Sequence, residues 1–236
     1  MATVYLIPSL LSEEGLDAIP SYIPDAIKKC QVFFVENERT TRRYLKQIWK
    51  AWLPEQEIVI DEYEWHVIAD NSAELFKQKI KEGKTIGIIS EAGCPGVADP
   101  GQVLIAIAQE MNVVVKPLVG PNSILLALMA SGMNGQQFHF AGYLPIDNQL
   151  RVKAIKDLET ESAKKNCTQI FIETPYRNNQ LIEALVKNCH NATRLCIAVD
   201  ITGKDEWIKT KTIANWQKEQ PAIHKRPAIF LLQAVH

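Results

Sequence analysis

Thr85-Ile86-Gly87-Ile88-Ile89 is apolar at nearly every position and is bounded by turn residues, with Gly83 before it and a loop rich in glycine and proline after it. A strand wetted on one face alternates apolar and polar side chains, so an unbroken apolar run reads as a central strand covered on both faces. Sheets of that kind are mostly parallel and need helices on each side. Other short β-rich runs fall at 4–7, 32–35, 113–116, 138–143, 169–172, 195–199 and 228–232.

Helical patterns separate these runs. Over 41–52 the apolar residues Tyr44, Leu45, Ile48, Trp49 and Trp52 recur at helical spacing, with Arg39, Arg42, Arg43, Lys46 and Lys50 mostly opposite, which makes an amphipathic helix with a basic face. Asn71-Ser72-Ala73-Glu74 reads as a capping box opening a helix that ends at Gly83. Further helices are expected at 25–29, 102–111, 123–130, 150–161 and 179–188. The alternation defines an α/β chain of two α/β domains, divided near Lys116-Pro117-Leu118 into 1–116, with a largely parallel sheet, and 117–236, with a mixed one.

With 47% hydrophobic residues among 236, the chain has ample material for buried cores. No apolar run approaches the ~20 residues that span a bilayer, and the first residues lack the marks of a signal peptide. The expectation is a soluble cytoplasmic protein. Cys30, Cys94, Cys167, Cys189 and Cys196 are odd in number and never spaced as C-x-x-C, and the five histidines form no i, i+4 pair, which argues against disulfides and a metal site. Lys and Arg total 26 against 27 Asp and Glu, so no global field draws in polyanions, and any nucleic-acid contact must rest on a local patch.

The loop Ser90-Glu91-Ala92-Gly93-Cys94-Pro95-Gly96-Val97-Ala98-Asp99-Pro100-Gly101 places three glycines and two prolines directly after the buried strand. Proline stiffens such a loop while glycine lets its backbone approach a ligand, and ligands of open parallel sheets bind outside the carboxyl ends of the strands. A tight structural turn has the same composition. No Lys-Ser or Lys-Thr closes it as in a P-loop, and it is no G-x-G-x-x-G fingerprint. Glu36-Asn37-Glu38-Arg39, Gly120-Pro121-Asn122-Ser123 and Glu173-Thr174-Pro175-Tyr176-Arg177 also follow strands; each suits either a ligand or ordinary helix capping and ion pairing.

In this order the segments resemble the tetrapyrrole methylase superfamily, and within it the branch of small-subunit rRNA ribose 2′-O-methyltransferases. The family loop Ser-Asp-Ala-Gly-Thr-Pro-Gly-Ile-Ser-Asp-Pro-Gly aligns without a gap on 90–101. Its Pro-Gly-Pro-Ser turn corresponds to Val119-Gly120-Pro121-Asn122-Ser123, and its Glu-Ser-Pro-His-Arg to Glu173-Thr174-Pro175-Tyr176-Arg177.

An acidic-Thr-Arg segment followed by Thr-Arg-Arg matches Glu36-Asn37-Glu38-Arg39-Thr40-Thr41-Arg42-Arg43. Glu91 replaces the family Asp, and Pro8-Ser9-Leu10-Leu11-Ser12 matches the family's first turn only in part.

The resemblance implies S-adenosyl-L-methionine held in a cleft between the domains, in a homodimer. Carried over by position, Leu11, Glu91, Cys94, Ser123, Ile124, Glu173, Asp200 and Ala228 are the cofactor contacts; Glu36, Arg39 and Arg42 line the acceptor side, with Glu36 as base and the arginines on phosphate. The implied partner is RNA, ribosomal RNA or a ribosomal subunit, with neither DNA nor a membrane. A corrin-precursor methylase and a catalytically silent cofactor-binding scaffold are the competing readings.

Overall fold

A computed structural model of the chain describes residues 2–235. The chain divides between Asn122 and Ser123 into two compact units, each with its own five-stranded sheet.

In the first unit β1 (Thr3–Ile7), β2 (Val32–Val35), β3 (Glu64–Val67), β4 (Thr85–Ile89) and β5 (Val114–Pro117) form a sheet in the order β3-β2-β4-β1-β5, with every pair parallel. The apolar run at 85–89 is indeed interior: Ile86, Ile88 and Ile89 are fully buried. Gly87 is needed there, because a Cβ would meet the Phe33 ring at 2.5 Å.

Side chains of opposite strand parity feed two cores. Tyr5, Ile7, Phe33, Val35 and Ile89 pack with α1 (Ile23–Ile27) and α2 (Glu38–Trp52), whereas Val4, Val32, Phe34, Ile86 and Ile88 pack with α3 (Ser72–Lys81) and α4 (Gln102–Glu110). The chain thus leaves β1 toward one face and β4 toward the other, although β1 and β4 are neighbours. Such a reversal opens a crevice at the carboxyl ends of the strands.

The capping box expected at Asn71 and Glu74 does not form. The Asn71 side chain caps nothing; Ser72 Oγ instead accepts the Ala69 N–H at 2.9 Å, and Glu74 pairs with Lys77. Residues 117–122, read from the sequence as the start of the second domain, belong by contact to the first unit, where Pro117 closes β5 and the Leu118 N–H bonds Leu6 O at 3.0 Å.

The second unit carries α5 (Ser123–Ser131), β6 (Phe138–Tyr143), α6 (Asn148–Lys165), β7 (Thr168–Ile172), α7 (Asn178–Asn188), β8 (Arg194–Val199), β9 (Trp207–Thr212), α8 (Ile213–Trp216) and β10 (Ala228–Gln233). Its sheet runs β6-β7-β10-β8-β9, parallel only between β6 and β7. Leu181, Leu185, Phe171, Phe230, Ile197 and Trp216 lie in its core.

Candidate functional site

Many of the residues expected to carry chemistry lie at the carboxyl edge of the first sheet and at one edge of the second. In the first unit the loops after β1, β2 and β4 meet at the carboxyl edge of the sheet. Ser9 and Gly93 form an antiparallel bridge between the first and third of these loops, and Tyr44 of α2 donates its hydroxyl to Pro8 O at 2.6 Å. Asp99 braces the long loop from within: one carboxylate oxygen accepts the Gly96 N–H at 2.9 Å and the other the Gly101 N–H at 2.8 Å. Gly93 and Gly96 have φ of +74° and +83°, conformations costly for other residues.

Beside this loop lies a cavity of about 700 Å³ lined by Ser9, Leu10, Leu11, Ser90, Glu91 and Ala92 on the strand side and by Thr40, Arg43, Lys46, Gln47 and Lys50 on the α2 side. The size and mixed lining suit a nucleotide-sized ligand. Glu91 is exposed, and its carboxylate accepts the Thr40 hydroxyl at 2.9 Å, so the side chain leans toward α2. The Glu91 N–H donates to Glu36 Oε1 at 2.9 Å. Burial pushes the Glu36 carboxyl above its ordinary range; the Glu91 N–H works against that shift, and the charges of Asp99 and Glu91 add to it. Cys94 is half-buried, with Sγ 3.5 Å from Pro121 O, and burial also raises its thiol.

The two arginines expected beside Glu36 are placed differently from one another. Arg39 is exposed on α2, in a shallow cavity of about 650 Å³ shared with Glu38, Arg42, Arg43 and Lys46. Arg42 is bound by Glu38 at 2.8 Å and Asp61 at 2.6 Å, with its guanidinium 5.1 Å from the centre of the Trp65 ring. Sequence reasoning left Lys46 and Lys50 as part of a general basic face; the cavity lining singles them out. The i, i+3, i+4, i+7 spacing of Arg43, Lys46, Gln47 and Lys50 was the available signal.

In the second unit β7 and β8 point the same way and β10 runs against both, so Glu173, Asp200 and Ala228 arrive at one edge of the sheet. The Glu173 side chain is fully buried; its Oε1 accepts from the Thr174 N–H and from Arg177 Nη2, both at 2.6 Å, while Oε2 has no partner. Asp200, at φ +47°, pairs with Arg226 at 2.6 Å. Ser123 and Ile124 open α5, half-buried and buried.

The fold of the whole chain is similar to that of two solved structures. The methyltransferase CobJ superposes with a TM-score of 0.62 at 14% identity, covering 99% of this chain and 94% of that one. Uroporphyrin-III-C-methyltransferase from Thermus thermophilus gives 0.55 at 13% identity, covering 98% and 94%. The class is therefore the two-sheet α/β architecture of those methyltransferase structures. The family model of the tetrapyrrole (corrin/porphyrin) methylases matches residues 24–216, and the chain belongs to that family.

Among curated relatives, the ribosomal RNA small subunit methyltransferase I of Buchnera aphidicola subsp. Schizaphis graminum is 32% identical over 65% of this chain and 54% of its own length. The protein of the same name from Micromonospora olivasterospora is 31% identical over 74% of this chain and 52% of its own. The chain spans about half the length of the curated relatives it matches.

Proposed function

We propose that this chain is an S-adenosyl-L-methionine-dependent methyltransferase that modifies a ribose hydroxyl of RNA, working in the cytoplasm as a homodimer. The observation that carries the reading is the loop at 90–101. It stands at the carboxyl end of the central strand, where the chain reverses direction across the sheet, and it matches the family loop without a gap. The relatives named for ribosomal RNA methylation direct the choice of acceptor toward RNA.

The residues present fit such a cofactor. Leu10 and Leu11 supply an apolar wall, and Ser9, Ser90 and Glu91 supply polar groups around about 700 Å³. Leu11 and Glu91 would hold it there; Cys94, Ser123, Ile124, Glu173, Asp200 and Ala228, outside that lining, are the further contacts that the family resemblance implies. When bound, the cofactor supplies a methyl carbon activated by its sulfonium.

The chain's own contribution is to bring a hydroxyl to roughly 3–3.5 Å from that carbon and to remove its proton. Glu36 takes the proton: Oε1 is held by the Glu91 N–H, and a carboxyl raised by burial is a better base than a free one. Arg39, Lys46 and Lys50 hold backbone phosphates along α2. Arg42, already bound to Glu38 and Asp61, acts by fixing the helix in place.

Calorimetry with adenosylmethionine, followed by transfer of labelled methyl to total RNA or to a tetrapyrrole extract, tests this. Cofactor binding with label in RNA is the expected result. Label in the tetrapyrrole fraction transfers the reading to a corrin-type acceptor, and no binding at millimolar cofactor leaves a silent scaffold.

A further inference from the structure

We propose that the hollow between α6 and α7 in the second unit is a binding site for a phosphate group, with Arg151 and Lys187 as its cations. The hollow is about 300 Å³ and is lined by Asn148, Arg151, Gln180, Glu183, Lys187 and Asn188 among others. None of these residues belongs to the cofactor or acceptor sets above.

Arg151 is only 8% exposed, yet among the described residues it forms no ion pair. Its guanidinium meets neutral acceptors alone: Nη1 donates to Ile146 O at 3.4 Å and Nη2 to Asn148 Oδ1 at 3.0 Å, while the buried Nε has no partner. A guanidinium cannot shed its proton to escape burial, so an uncompensated one is costly.

Its position raises that cost. Arg151 sits in the first turn of α6, where the helix dipole is positive and an acidic side chain is the favoured occupant. Asp147 caps this helix through the Leu150 N–H but forms no ion pair with Arg151. Glu183 is the carboxylate in the lining, and it pairs with neither cation. With Lys187 exposed on α7, the hollow carries one more positive than negative charge.

An anion there reverses each of these costs at once. The N–H of Asn148, the first residue of α6 and a helix position without an intrahelical acceptor, adds a donor of the kind that receives phosphate. Arg151, Lys187, Gln180 and Asn188 share one lining and supply side-chain donors of the kind that bind a tetrahedral oxyanion. The phosphate comes either from an RNA backbone or from a free phosphate compound, and the site itself stands whether or not methyl transfer is confirmed.

The test compares wild-type protein, Arg151→Met and Lys187→Met by thermal denaturation in inorganic phosphate and in chloride of equal ionic strength. Phosphate at ten times its Kd raises the wild-type midpoint by about 3–6 °C. Arg151→Met loses that response while melting no lower than wild type in chloride, because a buried unpaired charge has been removed. Lys187→Met, altered at an exposed side chain, folds normally and binds phosphate about 10-fold more weakly.

A second arm titrates a short single-stranded RNA oligonucleotide against salt. A slope reduced by about 0.7 in Lys187→Met assigns the phosphate to nucleic acid. An unchanged slope, with the inorganic phosphate response lost, assigns it to a free phosphate compound. An absent response in wild type, or an equal one in all three proteins, overturns the proposal.

Discussion

Ser9 and Gly93 exchange backbone hydrogen bonds, 2.8 Å from Ser9 N to Gly93 O and 3.3 Å in return. The two residues belong to loops that leave neighbouring parallel strands toward opposite faces of the sheet. The bridge holds together loops that the topology would otherwise let diverge, and Ser9 itself lines the cavity of about 700 Å³.

Gly120 packs against Pro8, the residue before Ser9, and a Cβ there would lie 2.0 Å from Pro8 Cβ. Neither the proline ring nor the buried backbone around it can give way by that much. Gly120→Ala is therefore expected to lower stability by about 1–3 kcal/mol in chemical denaturation. Gly135→Ala, with nothing within 4 Å of the added carbon, is the control and should stay within about 0.5 kcal/mol of wild type.

The Glu173 carboxylate has no exposure, and Arg177 is its only cationic partner among the described residues. Removing the arginine leaves a buried anion uncompensated, so Arg177→Met should cost about 3–5 kcal/mol. The double variant Arg177→Met with Glu173→Gln should recover most of that loss in a double-mutant cycle. A full loss persisting in the double variant would show that packing, rather than charge, governs the site.

Much of this frame is readable along the chain, and what escapes has physical reasons. β4 is legible because burial on both faces leaves an unbroken apolar run, and α2 because its apolar residues recur every three or four positions. β3 and β9 are edge strands with charged or half-exposed side chains, so Glu-Trp-His-Val and Trp-Ile-Lys-Thr-Lys-Thr show no comparable signal. The loop at 90–101 can be found from composition. The lean of Glu91 onto Thr40 cannot, because it joins residues 51 positions apart through the fold. Arg42 likewise looks like a free base until Asp61 is brought against it from 19 positions away.

Glu36 gives a pH dependence of unusual sign for a carboxylate. Burial raises its pKa, so the folded protein holds a proton that the unfolded chain has already lost. Its contribution to stability is therefore fully present below the ordinary carboxylate range and is lost as pH rises through the raised value. Glu36→Gln keeps an oxygen for the Glu91 N–H and removes the charge. Relative to wild type it should be at least as stable at neutral pH, with the advantage vanishing in acid, in melts from pH 3 to 8. If Glu36 is the base, the same variant loses about 10²–10⁴-fold in kcat with cofactor affinity unchanged.

The basic side chains of α2 divide into those held in ion pairs and those left exposed. Arg42 is held between Glu38 and Asp61 and over Trp65, whereas Lys46 and Lys50 are exposed beside the cavity. Arg42→Ala should lower stability by about 1 kcal/mol, the pairs being partly exposed, and leave the salt dependence of RNA binding unchanged. Lys46→Ala with Lys50→Ala should fold as wild type, yet reduce the slope of log affinity against log salt by about 1.4 on single-stranded RNA, two phosphate contacts at ~0.7 each. Measured together, the two variants decide whether α2 meets RNA through its free lysines: an unchanged slope in the double lysine variant would remove that face from the acceptor site, whatever Arg42→Ala does to the melting temperature.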